Sequence, residues 1–100
     1  MDRSEIVTLI GVTYQVDAIG QRIPQEARRE VFCQVSSVTA SEFFEAGRAG
    51  LQAQLRVVMF APEYADEKTV EYKGKRYGVY RTYLAKDEML ELYLERKVGA

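Results

Sequence analysis

By residue type, the group best suited to covalent chemistry is the single thiol, Cys33, and its surroundings argue against that use. A nucleophilic cysteine acts as the thiolate and needs a nearby base or cation. The chain has no histidine, and Phe32 and Val35 place apolar carbon beside the sulfur, which raises a thiol pKa. A buried core thiol is the expectation. One cysteine without histidine also makes no zinc set. The acidic pairs Asp66-Glu67 and Asp87-Glu88 stand at turn-like positions without calcium-loop spacing, and read as solvated carboxylates. No catalytic residue, cofactor or metal site is therefore expected, and the chain reads as a non-enzyme.

Two further groups could contact a ligand without transforming it. Lys73-Gly74-Lys75-Arg76 has the composition of a phosphate cradle, but it lacks the second glycine and the strand-to-helix setting of a P-loop, so it reads as a solvated hairpin tip. The chain has 7 tyrosines. Tyr72, Tyr77, Tyr80 and Tyr83 lie near Lys73, Lys75, Arg76 and Arg81, as in single-strand binders that join stacking platforms to a basic groove. Tyrosine is also the ordinary filler of half-buried sheet surfaces and protein interfaces. A single-stranded nucleic-acid-binding small barrel using Tyr77, Tyr80, Arg76 and Arg81 is the alternative reading.

These side chains must be carried by a mainly β scaffold. Residues 6–14 form the first strand, with Ile6, Thr8, Ile10, Val12 and Tyr14 on one side, Val7, Leu9 and Gly11 on the other, and both faces buried. Residues 15–26 hold Asp17, Gly20 and Pro24 without sustained periodicity and read as a long exposed loop, the most promising working element. Alternation resumes over 28–38, with Val31, Cys33 and Val35 inward. The period then changes to helical over 40–49: Thr39 and Glu42 fit a capping box, Val38 and Phe43 a hydrophobic staple, and Gly50 a left-handed stop. Leu55, Val57 and Met59 begin a third strand that Pro62 ends. Residues 70–72 and 76–84 make a hairpin around Gly74, and a last strand over 89–96 turns Leu90, Leu92 and Leu94 inward. The order β-β-α-β-β-β-β implies one small six-stranded barrel or sandwich whose helix covers an open end or face.

At 100 residues a single domain with a modest core is expected. No apolar run approaches the roughly 18 residues of a membrane span, and Glu5 interrupts the place of a signal peptide, so the protein is expected in a cytosol and off membranes. The net charge of −1 is uneven: residues 1–67 carry 6 basic and 10 acidic side chains, residues 68–100 carry 8 and 5. A positive excess of three on the C-terminal third is far less than a dedicated nucleic-acid stripe needs, so only incidental, sequence-independent DNA contact is expected.

The ordered series resembles the head-tail joining, or head-closure, proteins of tailed bacteriophages with long noncontractile tails. The residues carrying the likeness are the first strand, a polar segment with Asp17 and Gly20, then Glu30-Val31-Phe32-Cys33-Gln34-Val35-Ser36-Ser37-Val38 and Ser41-Glu42-Phe43-Phe44-Glu45-Ala46. Gly74-Lys75-Arg76-Tyr77, Tyr80-Arg81-Thr82-Tyr83 and Glu91-Leu92-Tyr93 continue it. The resemblance implies a barrel-like domain that joins a ring beneath the portal and its adaptor at the virion neck, closes the filled head and docks the tail, with a tail-completion component of the same particle as the third reading. It places residues 17–26 toward the channel or between subunits, and makes Asp17, Ile19, Gly20, Arg22, Ile23 and Glu26, with outward-facing Tyr64 and Tyr83, the interface candidates. Self-association is expected to be weak in dilute solution, because ring contacts offset their association cost when a portal holds the subunits together.

Overall fold

The computed structural model describes residues 5–96. The elements are β1 (Glu5–Val16), β2 (Arg22–Ser37), α1 (Ala40–Arg48), β3 (Ala53–Phe60), β4 (Thr69–Tyr72), β5 (Lys75–Leu84) and β6 (Met89–Arg96), with single 3-10 turns at Ala61–Glu63 and Lys86–Glu88. All neighbouring strands pair antiparallel and close a six-stranded barrel in the order β1-β2-β3-β6-β5-β4. Closure satisfies the ladder that an open sheet would leave at its edges. The expected fold class and element order therefore hold.

Period-2 alternation selects the core. Val7, Leu9, Val31, Cys33, Val57, Met59, Val70, Leu92 and Leu94 point inward and are almost fully buried, with Val35, Leu55 and Leu90 packed against them. Cys33 is a free, buried thiol, pushed up to about 11 chiefly by burial and then by the charge of Glu5. This matches the sequence reading of an inert core residue.

The helix lies on the outside of the barrel wall, against β3, with Ala46 its buried contact residue. Thr39 caps it by accepting from the Glu42 amide at 3.2 Å. Leu51 N–H donates to Ala46 O at 2.9 Å and Gly50 N–H to Gly47 O at 3.0 Å, the paired closure of a Schellman end. The Glu42 carboxylate reaches across to β5, where it accepts from the Tyr80 hydroxyl at 2.5 Å and from Arg81.

Four expectations need correction. First, residues 15–26 form no long loop: β1 continues to Val16 and β2 begins at Arg22, so the segment is the end of a β-ribbon. Only residues 17–21 turn, and Pro24 is accommodated because among the described residues its strand has no neighbour on the other side there. Second, β1 is buried on both faces only in part: Ile10 is buried, but Ile6, Val12 and Tyr14 on the same face are exposed. Third, Tyr64 does not face outward. It packs against the core and donates its hydroxyl to Glu67 O at 2.5 Å, and burial, reinforced by Asp66 and Glu67, pushes its pKa up to about 12. Fourth, Glu67 is not a solvated carboxylate.

Glu67 is 8% exposed, accepting from Arg29 at 2.6 Å and from the Ala65 amide at 2.8 Å. Its Cγ lies 3.2 Å from where a Cβ on Gly11 would stand, a tight contact in which a side chain would have to displace Glu67 by a few tenths of an ångström. The connection after β3 thus stoppers the barrel end from which the ribbon emerges.

Candidate docking arm

The β1–β2 register runs without a break from Glu5↔Cys33 to Val16↔Arg22. On its other edge, β1 pairs with β4 only over Thr8, Leu9 and Ile10, and β2 pairs with β3 only from Cys33 onward. Residues 11–16 and 22–27 therefore leave the barrel as a two-stranded arm, and among the described residues neither strand has a second neighbour there. At about 3.4 Å per residue the arm extends roughly 20 Å. The molecule accordingly measures 51 × 31 × 23 Å.

The tip is a turn of defined chemistry. Gly20 N–H donates to Asp17 O at 3.1 Å and Asp17 N–H to Gln21 O at 3.0 Å, closing a three-residue loop with Gly20 at φ +85°. Asp17 Oδ1 accepts from the amides of Ile19 at 3.0 Å and Gln21 at 2.8 Å. The Asp17 carboxylate thus sets the turn and is engaged within it.

Because Val7 and Leu9 face the core, Gly11, Thr13 and Gln15 carry that parity onto the arm, opposite Ala27, Gln25 and Ile23. The reverse face holds Val12, Tyr14 and Val16 opposite Glu26, Pro24 and Arg22. Arg22 lies over the Tyr14 ring at 4.5 Å from its centroid. The arm's large apolar side chains are exposed by between 44% (Ile23) and 78% (Ile19). A free two-stranded ribbon is marginally stable in water, and a concentrated apolar face on one marks a contact surface.

An ion-pair network fixes the arm's base to the outer wall. Glu26 meets Arg76 at 3.0 Å and Arg28 at 3.7 Å, and Glu71 meets Arg28 at 2.8 Å and Arg76 at 3.8 Å. The hydrogen bond and charge of Arg76 hold Glu26 below the ordinary carboxylate range. Charges from β2, β4 and β5 therefore orient the ribbon.

Of the interface candidates read from the sequence, Asp17, Ile19, Gly20, Arg22, Ile23 and Glu26 all lie on this arm or in its turn. Tyr64 does not join them, being turned inward, and Tyr83 is exposed on β5 of the barrel wall. Reasoning from sequence missed Val12, Tyr14 and Val16 as contact residues, together with Arg28, Glu71 and Arg76 at the base. The available signal was the alternation of residues 10–16, which continues past Tyr14.

The alternative aromatic and basic set is split. Tyr77 packs toward the core and Arg76 is paired at the arm base. Tyr80 and Arg81 lie elsewhere, both on Glu42 beneath the helix, with Arg81 stacked 4.0 Å over Tyr93. They share a side because the β5–β6 register shifts between Val79 and Arg81, which sets both opposite Tyr93. Burial alone would raise the Glu42 pKa, but hydrogen bonds from Tyr80 and Arg81 outweigh it and leave the carboxyl below its ordinary value. Held ionised and fully engaged, Glu42 anchors the helix.

Among known proteins, no family model matches the chain and no curated protein matches it.

Proposed function

We propose that this protein is a non-enzymatic part of a virion neck, of the head-closure kind, which joins a ring between portal or adaptor proteins and the tail of a phage or prophage particle. The observation that carries this reading is the arm: a ribbon with exposed Val12, Tyr14 and Val16 on one face and, among the described residues, no strand paired along either outer edge, extending from a closed barrel. Such an element gains most of its stabilisation from a neighbour, either by side-chain burial or by added strand pairing. A ring built by rotation needs two unlike surfaces on each subunit, and an arm at one end of a barrel provides one of them. The arm works by docking, and the site of action on this reading is the particle neck.

The test is an arm shortened in register. Removing residues 13–16 and 22–25 deletes an even number from each strand, so Val12 and Glu26 replace Val16 and Arg22 next to the turn with every side chain on its original face. The shortened protein should unfold at the same denaturant concentration as the parent. Mixed with a cognate portal–adaptor complex and imaged by electron microscopy, the parent should add a ring and the variant should not. A bare complex with the parent, or an undiminished ring with the variant, rejects the proposal.

A further inference from the structure

At the barrel end opposite the arm, β3 begins, β4 and β6 end, and the β4–β5 hairpin turns. A cleft of about 350 Å³ opens there, lined by Lys75, Arg76, Arg96, Tyr77 and Gln54, with Glu71 its one acidic member among the described residues. Most arginines of the described residues are committed elsewhere: Arg28, Arg29, Arg48, Arg56, Arg76 and Arg81 have carboxylates within ion-pair distance, and Arg22 lies on Tyr14. Arg96 has neither among the described residues, and Lys75 beside it has no carboxylate partner among them. Glu71 cannot neutralise them, because Arg28 at 2.8 Å and Arg76 at 3.8 Å already hold it. Glu5 at the same end accepts from the Tyr72 hydroxyl at 2.5 Å. Lys73, next in the hairpin, sits 5.3 Å from the Tyr72 ring centroid and adds a further cation at the rim.

Like charges gathered around one concavity repel, and the arrangement is relieved when an anion enters; low-dielectric walls focus the field at that point. A guanidinium offers a planar fork of donors to phosphate oxygens, and an ammonium supplies a point charge beside it. Gln54 lines the same cleft. The geometry points to a binding site for phosphate oxyanions, built from Arg96 and Lys75 with Lys73 at its rim, at the end of the barrel where the β4–β5 hairpin turns. Lys75 and Arg96 belong to no part of the arm or its base, so phosphate binding and docking can fail separately.

The same chemistry is offered by a nucleic-acid backbone and by a free polyphosphate, and two probes separate them. A fluorescent 20-nucleotide single strand is titrated at about 50 mM and 200 mM salt, and inorganic pyrophosphate is titrated with backbone amides followed by NMR. The full chain is compared with Lys75→Gln, Arg96→Gln and their double variant. Lys86→Gln, on the 3-10 turn at the other barrel end, serves as the control, and parallel thermal unfolding checks folding. If the backbone is the source, the strand binds in the range of about 1–100 µM, and the double variant lowers the salt slope by roughly 1.4, at about 0.7 per cation removed. If a free polyphosphate is the source, pyrophosphate shifts the amides of residues 74–77 and 96, and the double variant abolishes the shifts. Binding of neither probe, binding unchanged in the double variant, or equal loss in Lys86→Gln would overturn the assignment.

Discussion

At the scale of single residues, carboxylates do structural work that their sequence neighbourhoods conceal. Glu67 shows the balance: burial alone would raise its pKa, but the hydrogen bonds from Arg29 and the Ala65 amide win and leave it below the ordinary 4.5. A carboxyl depressed in the folded state contributes stability that is complete above its unfolded value and disappears as pH falls through the lower folded value. Denaturant titrations from pH 7 to pH 2 should therefore show stability declining from about pH 4.5 downward. Glu67→Gln should cost about 1–2 kcal/mol at pH 7, discounted because Arg29 is half exposed, and should flatten the acid decline. The decline should not vanish, since Glu26 and Glu42 are also depressed. An unchanged acid profile in that variant would remove Glu67 from the account.

At the scale of elements, β1 and β2 each do two jobs. Their inner portions are barrel staves, β1 joined also to β4 over Thr8–Ile10 and β2 also to β3 from Cys33 onward, and their outer portions form a ribbon bonded only to itself among the described residues. Opening free energy follows this division, since the ribbon buries few apolar contacts and exposes its ladder. In hydrogen exchange on the free protein, amides of residues 11–16 and 22–27 should lose protection long before those of Val7, Leu9, Val57, Met59, Leu92 and Leu94. Engagement by a partner should slow exchange in the arm and leave the core unchanged. Equal protection along the whole of β1 in the free protein would contradict the description of the arm as weakly supported.

The whole molecule is elongated. Its Cα radius of gyration is 14.9 Å, against about 13 Å for a compact domain of this length. Small-angle scattering should report an elongated monomer in dilute solution, and shortening the arm by residues 13–16 and 22–25 should bring the radius toward about 13 Å. A concentration-independent dimer of the parent protein would contradict weak self-association. The long shape also sets the tip of the arm, proposed for neighbouring proteins, apart from the cationic cleft proposed for phosphate, which adjoins the arm's base through Glu71 and Arg76.

The sequence alone determined the strands and their inward faces, because alternation at residues 31–35, 55–59 and 90–94 leaves one face apolar and so dictates which side chains turn inward, wherever the strands lie; closure as a barrel rather than a sandwich came from the pairing of β1 with β4. It determined the helix too, through Thr39 at one end and Gly50 at the other. Cys33 was legible as an inert thiol for the same reason of apolar company. Tertiary structure alone decided the rest. Gly20 and Pro24 punctuate the sequence strongly, yet cross-strand hydrogen bonds to β1 hold residues 22–26 extended and confine the turn to 17–21. Glu67 and Tyr64 acquired their roles from Arg29 and the core, far away along the chain, and the register shift at Tyr80 exists only in relation to β6. Local periodicity reports which way a side chain faces; which groups meet depends on pairing between distant segments, and a local pattern carries no record of that.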